Sequence, residues 1–319
     1  MTGPRSAFVL GAGLGKRLRP LTDRLPKPLI PVFGKPLISF AFDHLREVGV
    51  RSLVVNTHHC PEEYPARFGS AEPSYLGTPI AFSHEPVLLE TGGGIRNALD
   101  LIGNDHFAVY NGDVLTDVAL HPVWHRHLVE GNIATLILRS SGGPLEIQCE
   151  SDGKIVDIGR RVTRSKAPAY LFSGVYFLHP SFFDHILDHS IVSVIPILID
   201  WIRRGARVRG VVVDQGKWAD LGSRDAYLKI HREIAAGYRP AYPVPAPWPQ
   251  FVDPAAVVDP GAVLTGFNSV GPGVKIAAGA QLEDCVFWGD AEVASGVTLK
   301  RCIVRPGSKI DADATDCDF

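Results

Sequence analysis

Residues 10–28 read LGAGLGKRLRPLTDRLPKP, a combination suited to holding phosphates. Gly11, Ala12, Gly13 and Gly15 follow a short apolar run, and glycines let backbone N–H groups come close to phosphate oxygens. Cations crowd the same loop and its flank: Lys16, Arg17, Arg19, Arg24, Lys27 and Lys35. Lys27 lies between Pro26 and Pro28, whose restricted backbone limits where its ammonium can point. A lysine on a merely solvated basic loop needs no such bracket. Two common glycine motifs fail here. A dinucleotide fingerprint requires glycine where Lys16 stands, and a P-loop requires one more residue and a hydroxyl where Arg17 stands.

Two acidic residues could complete such a site. Asp113 closes Asn111-Gly112-Asp113 after an apolar run, so its carboxylate would face the cleft at a sheet's carboxyl edge. Asp220, in Lys217-Trp218-Ala219-Asp220-Leu221-Gly222, precedes a helical pattern. Two carboxylates with phosphate oxygens suit an octahedral Mg2+. Either aspartate taken singly reads as a cap or turn residue. Glu90-Thr91-Gly92-Gly93-Gly94 is a second glycine-rich turn at a helix start, with a plain helix cap as its alternative. His121, His125 and His127 cluster without a further ligand for zinc and read as solvated or capping residues.

The elements that must position these residues follow a helix–strand alternation. Ser6 to Leu10 is a short apolar strand ending at Gly11. Pro36 opens a helix whose Leu37, Phe40, Ala41, Leu45 and Val48 keep helical spacing, and Gly49 closes it. Ser52 to Val55 is a buried strand. The loop joining the first strand to its helix has 25 residues (11–35), where two to six is usual, and so long a loop at a strand's carboxyl end reads as functional. Strands follow near Ile80–Ser83, Phe107–Tyr110 and Ile133–Arg139, with helices over Gly94–Ile102 and His121–Glu130. Hairpin-like segments near 145–158 and 170–178, helices from Ser181 and over 192–204, a strand over 206–213 and a helix over Asp225–Ala236 complete the first part. The expected class is α/β, a Rossmann-like doubly wound, mostly parallel sheet over residues 1–238.

Residues 239–250, RPAYPVPAPWPQ, carry five prolines and read as a semi-rigid linker. From 251 to 319 the grammar changes. Val252, Val258, Leu264, Val270, Ile276, Leu282 and Trp288 recur at intervals of six among Gly, Ala, Pro, Asp and Ser. One inward apolar residue per flat face at that period marks a parallel β-helix. The register slips after Trp288, resumes at Val293 and Leu299, and fades toward Phe319.

A net charge of −2 gives no general pull toward nucleic acid or an anionic membrane, so an anionic ligand must be held locally. The run Ala7–Leu10 is too short for a secretory signal. The longest apolar stretch, Ile191–Ile202, is interrupted by Ser193, Pro196 and Asp200 and reads as a buried helix rather than a membrane span. Five scattered cysteines without C-x-x-C spacing read as reduced, mostly buried thiols of a cytoplasmic protein.

The opening loop resembles the G-x-G-x-R-L-x-P-L-T-x-x-x-P-K-P motif of the sugar nucleotidyltransferases (NDP-sugar pyrophosphorylases). Gly13, Gly15, Arg17, Leu18, Pro20, Leu21, Thr22, Pro26, Lys27 and Pro28 match it, and Lys16 stands where many members have Thr or Ser. The resemblance implies a Rossmann-like catalytic domain and, as in longer members, a C-terminal left-handed β-helix, through which subunits often pair. It implies Mg2+ on Asp113 and Asp220, catalytic roles for Arg17 and Lys27, and a nucleoside triphosphate with a sugar 1-phosphate as substrates. Gly11, Ala12, Gly13, Gly15 and Lys16 would bind the nucleotide's phosphates, and Glu90, Thr91 and Gly93 its base. Asn111, Ser173 and Gly174 would line the sugar pocket, although the E-K-P motif often found before that strand is replaced by Asp157-Ile-Gly-Arg160-Arg161.

Two branches compete for the substrate. Val54–His59, Leu89–Ile95 and Asn111–Asp117 resemble muramate-1-phosphate uridylyltransferases, whereas the two-domain layout resembles mannose-1-phosphate guanylyltransferases. A catalytically inactive regulatory relative would have lost Arg17, Lys27 or an aspartate, and all four stand here. An acyltransferase would need a catalytic histidine in the coils, and none follows His231.

Overall fold

The computed structural model describes residues 3–163 and 165–319. It falls into two compact units: one holds the chain up to Leu14, Ile38–Ala219 and Ala241–Pro243, and the other Gly15–Leu37, Asp220–Pro240 and Val244–Phe319.

The first unit is a mixed, mostly parallel sheet with helices. Its elements in chain order are β1 (Ser6–Leu10), α1 (Ile38–Glu47), β2 (Ser52–Thr57), α2 (Glu63–Phe68), β3 (Thr78–His84), α3 (Glu90–Asn97), β4 (Phe107–Asn111), β5 (Val114–Thr116), α4 (Leu120–Val129), β6 (Ala134–Arg139), β7 (Ile147–Cys149), β8 (Ile155–Ile158), β9 (Ala169–Leu178), α5 (Val194–Arg203) and β10 (Val208–Val212). β3, β2, β1 and β4 run parallel in that order, with Phe8 beside both Val54 and Val109. β9 lies antiparallel to β4 and to β6, and β10 joins β6 in parallel. The central strands are apolar over most of their length because both faces are covered: Ala7, Phe8, Val9, Val55, Phe107 and Val109 are all fully buried. Val194, Ile197, Leu198 and Ile199 of α5 join the same core, so most of the Ile191–Ile202 stretch is a buried helix, although the helix starts only at Val194 and Ile191 stays exposed ahead of it. Among the described residues no helix is long and apolar enough to cross a membrane.

Three readings of this unit change, and the first is that the helix expected from Ser181 is only a 3-10 turn over Pro180–Phe183. The helix expected from Gly94 begins at Glu90, and its glycines lie within it. Glycine runs usually break helices, but here a Cβ at Gly93 would collide with Ser190 O, and one at Gly92 would stand 2.7 Å from Ile197 Cδ1. The glycines let α3 press against the 190–197 segment. His127 is neither solvated nor capping. It is fully buried, with Nε2 2.8 Å from His106 Nδ1 and Nδ1 2.8 Å from Thr135 Oγ1; His121 and His125 are exposed.

The second unit contains α6 (Arg224–Ala235) and a β-helix of three parallel sheets. Inward residues stack coil on coil: Val258 beside Ile276, Val293 and Ile310, then Leu264 beside Leu282, Leu299 and Ala314, and Val270 beside Phe287 and Val304. Phe287, not Trp288, fills the stack, so the five-residue step falls between Leu282 and Phe287, one face earlier than the sequence pattern suggests, and another falls between Leu299 and Val304. Trp288 instead donates its indole N–H to Tyr227 on α6 at 3.0 Å. The loop preceding α1 is fastened inside this unit: Phe33 packs on His231 and Phe251, Trp248 Nε1 donates to Val32 O at 2.9 Å, and Arg305 donates to Pro20 O at 3.0 Å. All five cysteines are free thiols, three of them buried.

Candidate active site

In the second unit, Gly15 adopts a left-handed φ of 59° and starts a 3-10 turn over Lys16–Leu18, a conformation glycine takes without strain. Thr22 donates its hydroxyl to Gly15 O at 2.9 Å, and Leu18 and Leu21 are buried as anchors. Lys16 and Arg17 therefore stand exposed on a fastened loop. Lys27 begins a second 3-10 turn with Pro26 before it and Pro28 inside it, and its side chain is only 6% exposed. Its Nζ lies 3.1 Å from Asp220 Oδ1, while Arg17 Nη2 lies 3.4 Å from Asp220 Oδ2. A Cβ at Gly222 would overlap the Arg17 guanidinium, so that glycine makes room for the arginine. Two cations of one loop and an aspartate far along the chain thus meet in one ion-pair cluster.

In the first unit, β1 delivers Gly11 and Ala12 into a tight space. Gly11 N donates to Asn56 Oδ1 at 2.8 Å, Ala12 N approaches the same oxygen at 3.4 Å, and Tyr64 donates to Gly11 O at 2.8 Å. These two amides are therefore held by the protein, whereas Gly13 is exposed and a Cβ there would meet nothing within 4 Å. Asp113 follows β4, half-buried. Burial, and secondarily the nearby Asp113 charge, push the Tyr64 phenol far above its ordinary range.

Glu90 holds a positive φ of 63° at the start of α3, a conformation costly for a non-glycine residue. Thr91 Oγ1 accepts from Val194 N at 2.8 Å, and Gly93 N donates to Val192 O at 2.9 Å. Both groups are thus spent on packing α3, which leaves Glu90 as the exposed member of the trio.

Asn111, Ser173 and Gly174 do come together. In β9, Phe172 pairs with Leu138 and Tyr176 with Leu136, so Ser173-Gly174-Val175 form a bulge opposite Ile137. Gly174 has φ 80°, and a Cβ there would stand 2.5 Å from Asn111 Nδ2. Bulges re-aim chains beside active sites. Trp218 Nε1 donates to Ser173 O at 2.8 Å and reinforces the bulge. Asn56 and Tyr64 escaped the sequence reading, and Trp218 entered it only as a neighbour of Asp220. The one available signal was a polar residue near the end of an apolar strand, Asn56 in β2.

Among the described residues no group of three or more His, Cys, Asp or Glu side chains converges as a metal cage. Mg2+ is commonly held by one or two carboxylates with substrate phosphates and water filling the rest of its shell. A half-buried aspartate at a strand end and a partly exposed one beside two cations fit that donor chemistry.

The sequence profile of the Nucleotidyl transferase family matches residues 6–237. The mannose-1-phosphate guanylyltransferase of Mycobacterium tuberculosis is 30% identical over 303 residues, 92% of this chain and 83% of that protein. The N-acetylmuramate alpha-1-phosphate uridylyltransferase of Caulobacter vibrioides is 44% identical over 245 residues, 73% of this chain and 98% of that protein. A solved Bacillus anthracis chain, assigned as a glucose-1-phosphate thymidylyltransferase and carrying a sucrose, overlays with a TM-score of 0.62 at 18% identity, over 73% of this chain and 96% of its own. That likeness speaks to the fold.

Proposed function

The chain belongs to the nucleotidyl transferase family as a sugar-1-phosphate nucleotidyltransferase, and from that premise we propose that it is a mannose-1-phosphate guanylyltransferase. The observation that carries the chemistry is the meeting of Lys27 and Arg17 on Asp220. A buried ammonium and a planar guanidinium held by two fastened turns are pre-aimed at anionic oxygens, and such fixed charge needs little reorganisation during reaction. Bound phosphates would give both cations an alternative acceptor to Asp220.

In this reading a sugar 1-phosphate oxygen bonds to the α-phosphorus of GTP while the bond from that phosphorus to the bridging oxygen breaks. Pyrophosphate departs with the electron pair, and no side chain becomes covalently attached. Lys27 sits beside the α-phosphate and the incoming phosphate, holding two mutually repelling anions together. Arg17 engages the β- and γ-phosphates through its fork of donors. Lys16 and the exposed amide of Gly13 add donors to the same phosphates, and Gly11, Ala12 and Gly15 shape the turn. Glu90 and the α3 start meet the base, and Asn111 with the Ser173-Gly174 bulge meets the sugar. Asp113 and Asp220 would hold Mg2+, which when bound neutralises charge on the phosphate oxygens.

The guanylyl and mannose assignment draws support from the M. tuberculosis relative, whose likeness extends over nearly the whole chain. A second reading, a uridylyltransferase acting on an N-acetylhexosamine- or muramate-type 1-phosphate, is favoured by the higher identity to the Caulobacter enzyme. That relative leaves about a quarter of this chain unmatched. We take residues 1–238 as the catalytic domain, 239–250 as the linker and 251–319 as the β-helix, pair subunits through the β-helix, and place the enzyme in the cytoplasm with its substrates. Pyrophosphate release across four nucleoside triphosphates and a panel of sugar 1-phosphates tests the assignment. GTP with mannose 1-phosphate should give the highest kcat/KM. UTP with an N-acetylhexosamine phosphate in first place would replace it by the second reading, and no turnover with any pair would indicate an inactive relative.

A further inference from the structure

Two glycine-rich segments of the first unit, the turn after β1 and the start of α3, are joined by a chain of buried hydrogen bonds. Leu89 N donates to Glu85 Oε2 at 2.9 Å. Asn56 Nδ2 donates to the other oxygen, Oε1, at 2.7 Å. Asn56 Oδ1 accepts from Gly11 N at 2.8 Å and from Ala12 N at 3.4 Å. Glu85 is 0% and Asn56 2% exposed. The Glu85 backbone is held as well, its N–H on Thr57 O at 2.8 Å and its carbonyl 2.7 Å from His58 Nδ1. A Cβ at Gly94 would stand 2.5 Å from Glu85 Oε1 and 2.9 Å from Asn56 Nδ2, so the third glycine of α3 is what admits the pair.

The chain has a direction. Gly11 N–H requires an acceptor and the Glu85 carboxyl offers acceptors, so only one orientation of the Asn56 amide satisfies both neighbours. Each member has its partner, and in a buried network a reversed or missing partner is costly.

We propose that Asn56 and Glu85 are positioning residues of the nucleotide subsite, a strut that fixes the turn after β1 against the loop leading into α3. The inference rests on the nucleotidyltransferase reading above. Being buried, both side chains act through the backbone they hold. Loosening the strut would misplace contacts made alike in the ground and transition states, which raises KM for the nucleotide more than it lowers kcat.

A polarity swap tests it. Glu85→Gln alone sets the new amide N–H against either the Asn56 amide or Leu89 N–H, since both donate to Glu85, and Asn56→Asp alone sets two carboxyl groups face to face. The double variant Asn56→Asp/Glu85→Gln restores every bond. Its carboxylate, now at position 56, accepts from Gly11 N and from the amide now at position 85, and the oxygen of that amide accepts from Leu89 N. Each single variant should raise the nucleotide KM about tenfold and speed hydrogen–deuterium exchange at the Gly11 and Ala12 amides. The double variant should return both toward wild type. Single variants with unchanged KM, or a double variant no better than the worse single, would overturn the strut. If a single variant fails to fold, recovery of folded, active protein in the double supports the strut and failure to recover overturns it. A wild type that releases no pyrophosphate with any substrate pair would sink the transferase reading instead, while the exchange rates of the swap series would still decide whether the strut holds the turn.

Discussion

The opening motif is divided between the two units, and its halves are built differently. Up to Leu14 it is uncharged backbone, pinned by Asn56 and Tyr64 side chains that reach into it. From Gly15 onward it is a string of cations, held by two 3-10 turns, flanking prolines and a shared carboxylate. One half supplies shape and the other supplies charge. On the proposed reading, shape should tolerate replacement wherever hydrogen-bonding polarity is kept, whereas the fixed charge of Arg17 and Lys27 should have no substitute. The same division recurs in packing. The β-helix stacks each inward apolar residue on its equivalent in the next coil, while the sheet unit buries whole apolar strands and hydrogen-bonded histidines such as His44 and His127 on its helices.

The largest effect should come from the charged half. Lys27→Ala is expected to lower kcat about 10³-fold while leaving the melting temperature close to wild type, because Arg17 still faces Asp220. A tenfold loss or less in a steady-state pyrophosphate assay would make Lys27 a structural residue. Next, Leu282→Ala, in the stack between Leu264 and Leu299, should cost about 3 kcal/mol of stability from lost burial and a residual cavity. Below the melting transition kcat should be unchanged. A proportional fall in kcat would mean that the β-helix core and the catalytic loop are energetically one.

Acid should act through buried histidines. Burial, with His106 and His179 as lesser causes, holds His127 down to about 3, and burial holds His44 to about 3 and His231 to about 4, against an ordinary 6.5. The unfolded chain then binds more protons than the folded one between these values. Stability is full above about pH 6.5 and declines as pH falls toward 3 or 4. By pH 5 each histidine should have removed about 2 kcal/mol. Thermal melts between pH 7 and pH 5 check this, and a flat profile would show that these sites take up protons without unfolding. The smallest effect belongs to the β-helix surface. Lys275 faces Glu292 at 3.2 Å with both side chains half exposed, so Lys275→Ala should leave melting and turnover unchanged, and a clear loss of either would point to a larger role for that face.

Periodic and covalent signals were legible in the sequence. The β1 boundaries at Ser6 and Leu10, the α1 pattern and five of the seven hexad positions came from spacing alone, while Val252 stays exposed. Trp288 misled because a six-to-five shortening swaps which of two adjacent aromatics turns inward, and nothing local marks it. The start of α3 was placed four residues late because three glycines disfavour helix locally, and only tertiary packing explains them, the 190–197 segment for Gly92 and Gly93 and the Glu85–Asn56 pair for Gly94. Arg17, Lys27 and Asp220 could be named because charge must be carried by the side chain itself. Asn56 and Glu85 could not, because they act through buried hydrogen bonds to backbone of the turn after β1 and of the loop before α3.

The most direct test follows the α-phosphorus itself. With Mg2+, a sugar 1-phosphate and a nucleoside triphosphate bearing a chiral α-thiophosphate, a single in-line displacement predicts an NDP-sugar with inverted configuration at phosphorus. Retention of configuration would require a nucleotide-bound protein intermediate, and with it the proposed work of Lys27 and Arg17 would be contradicted.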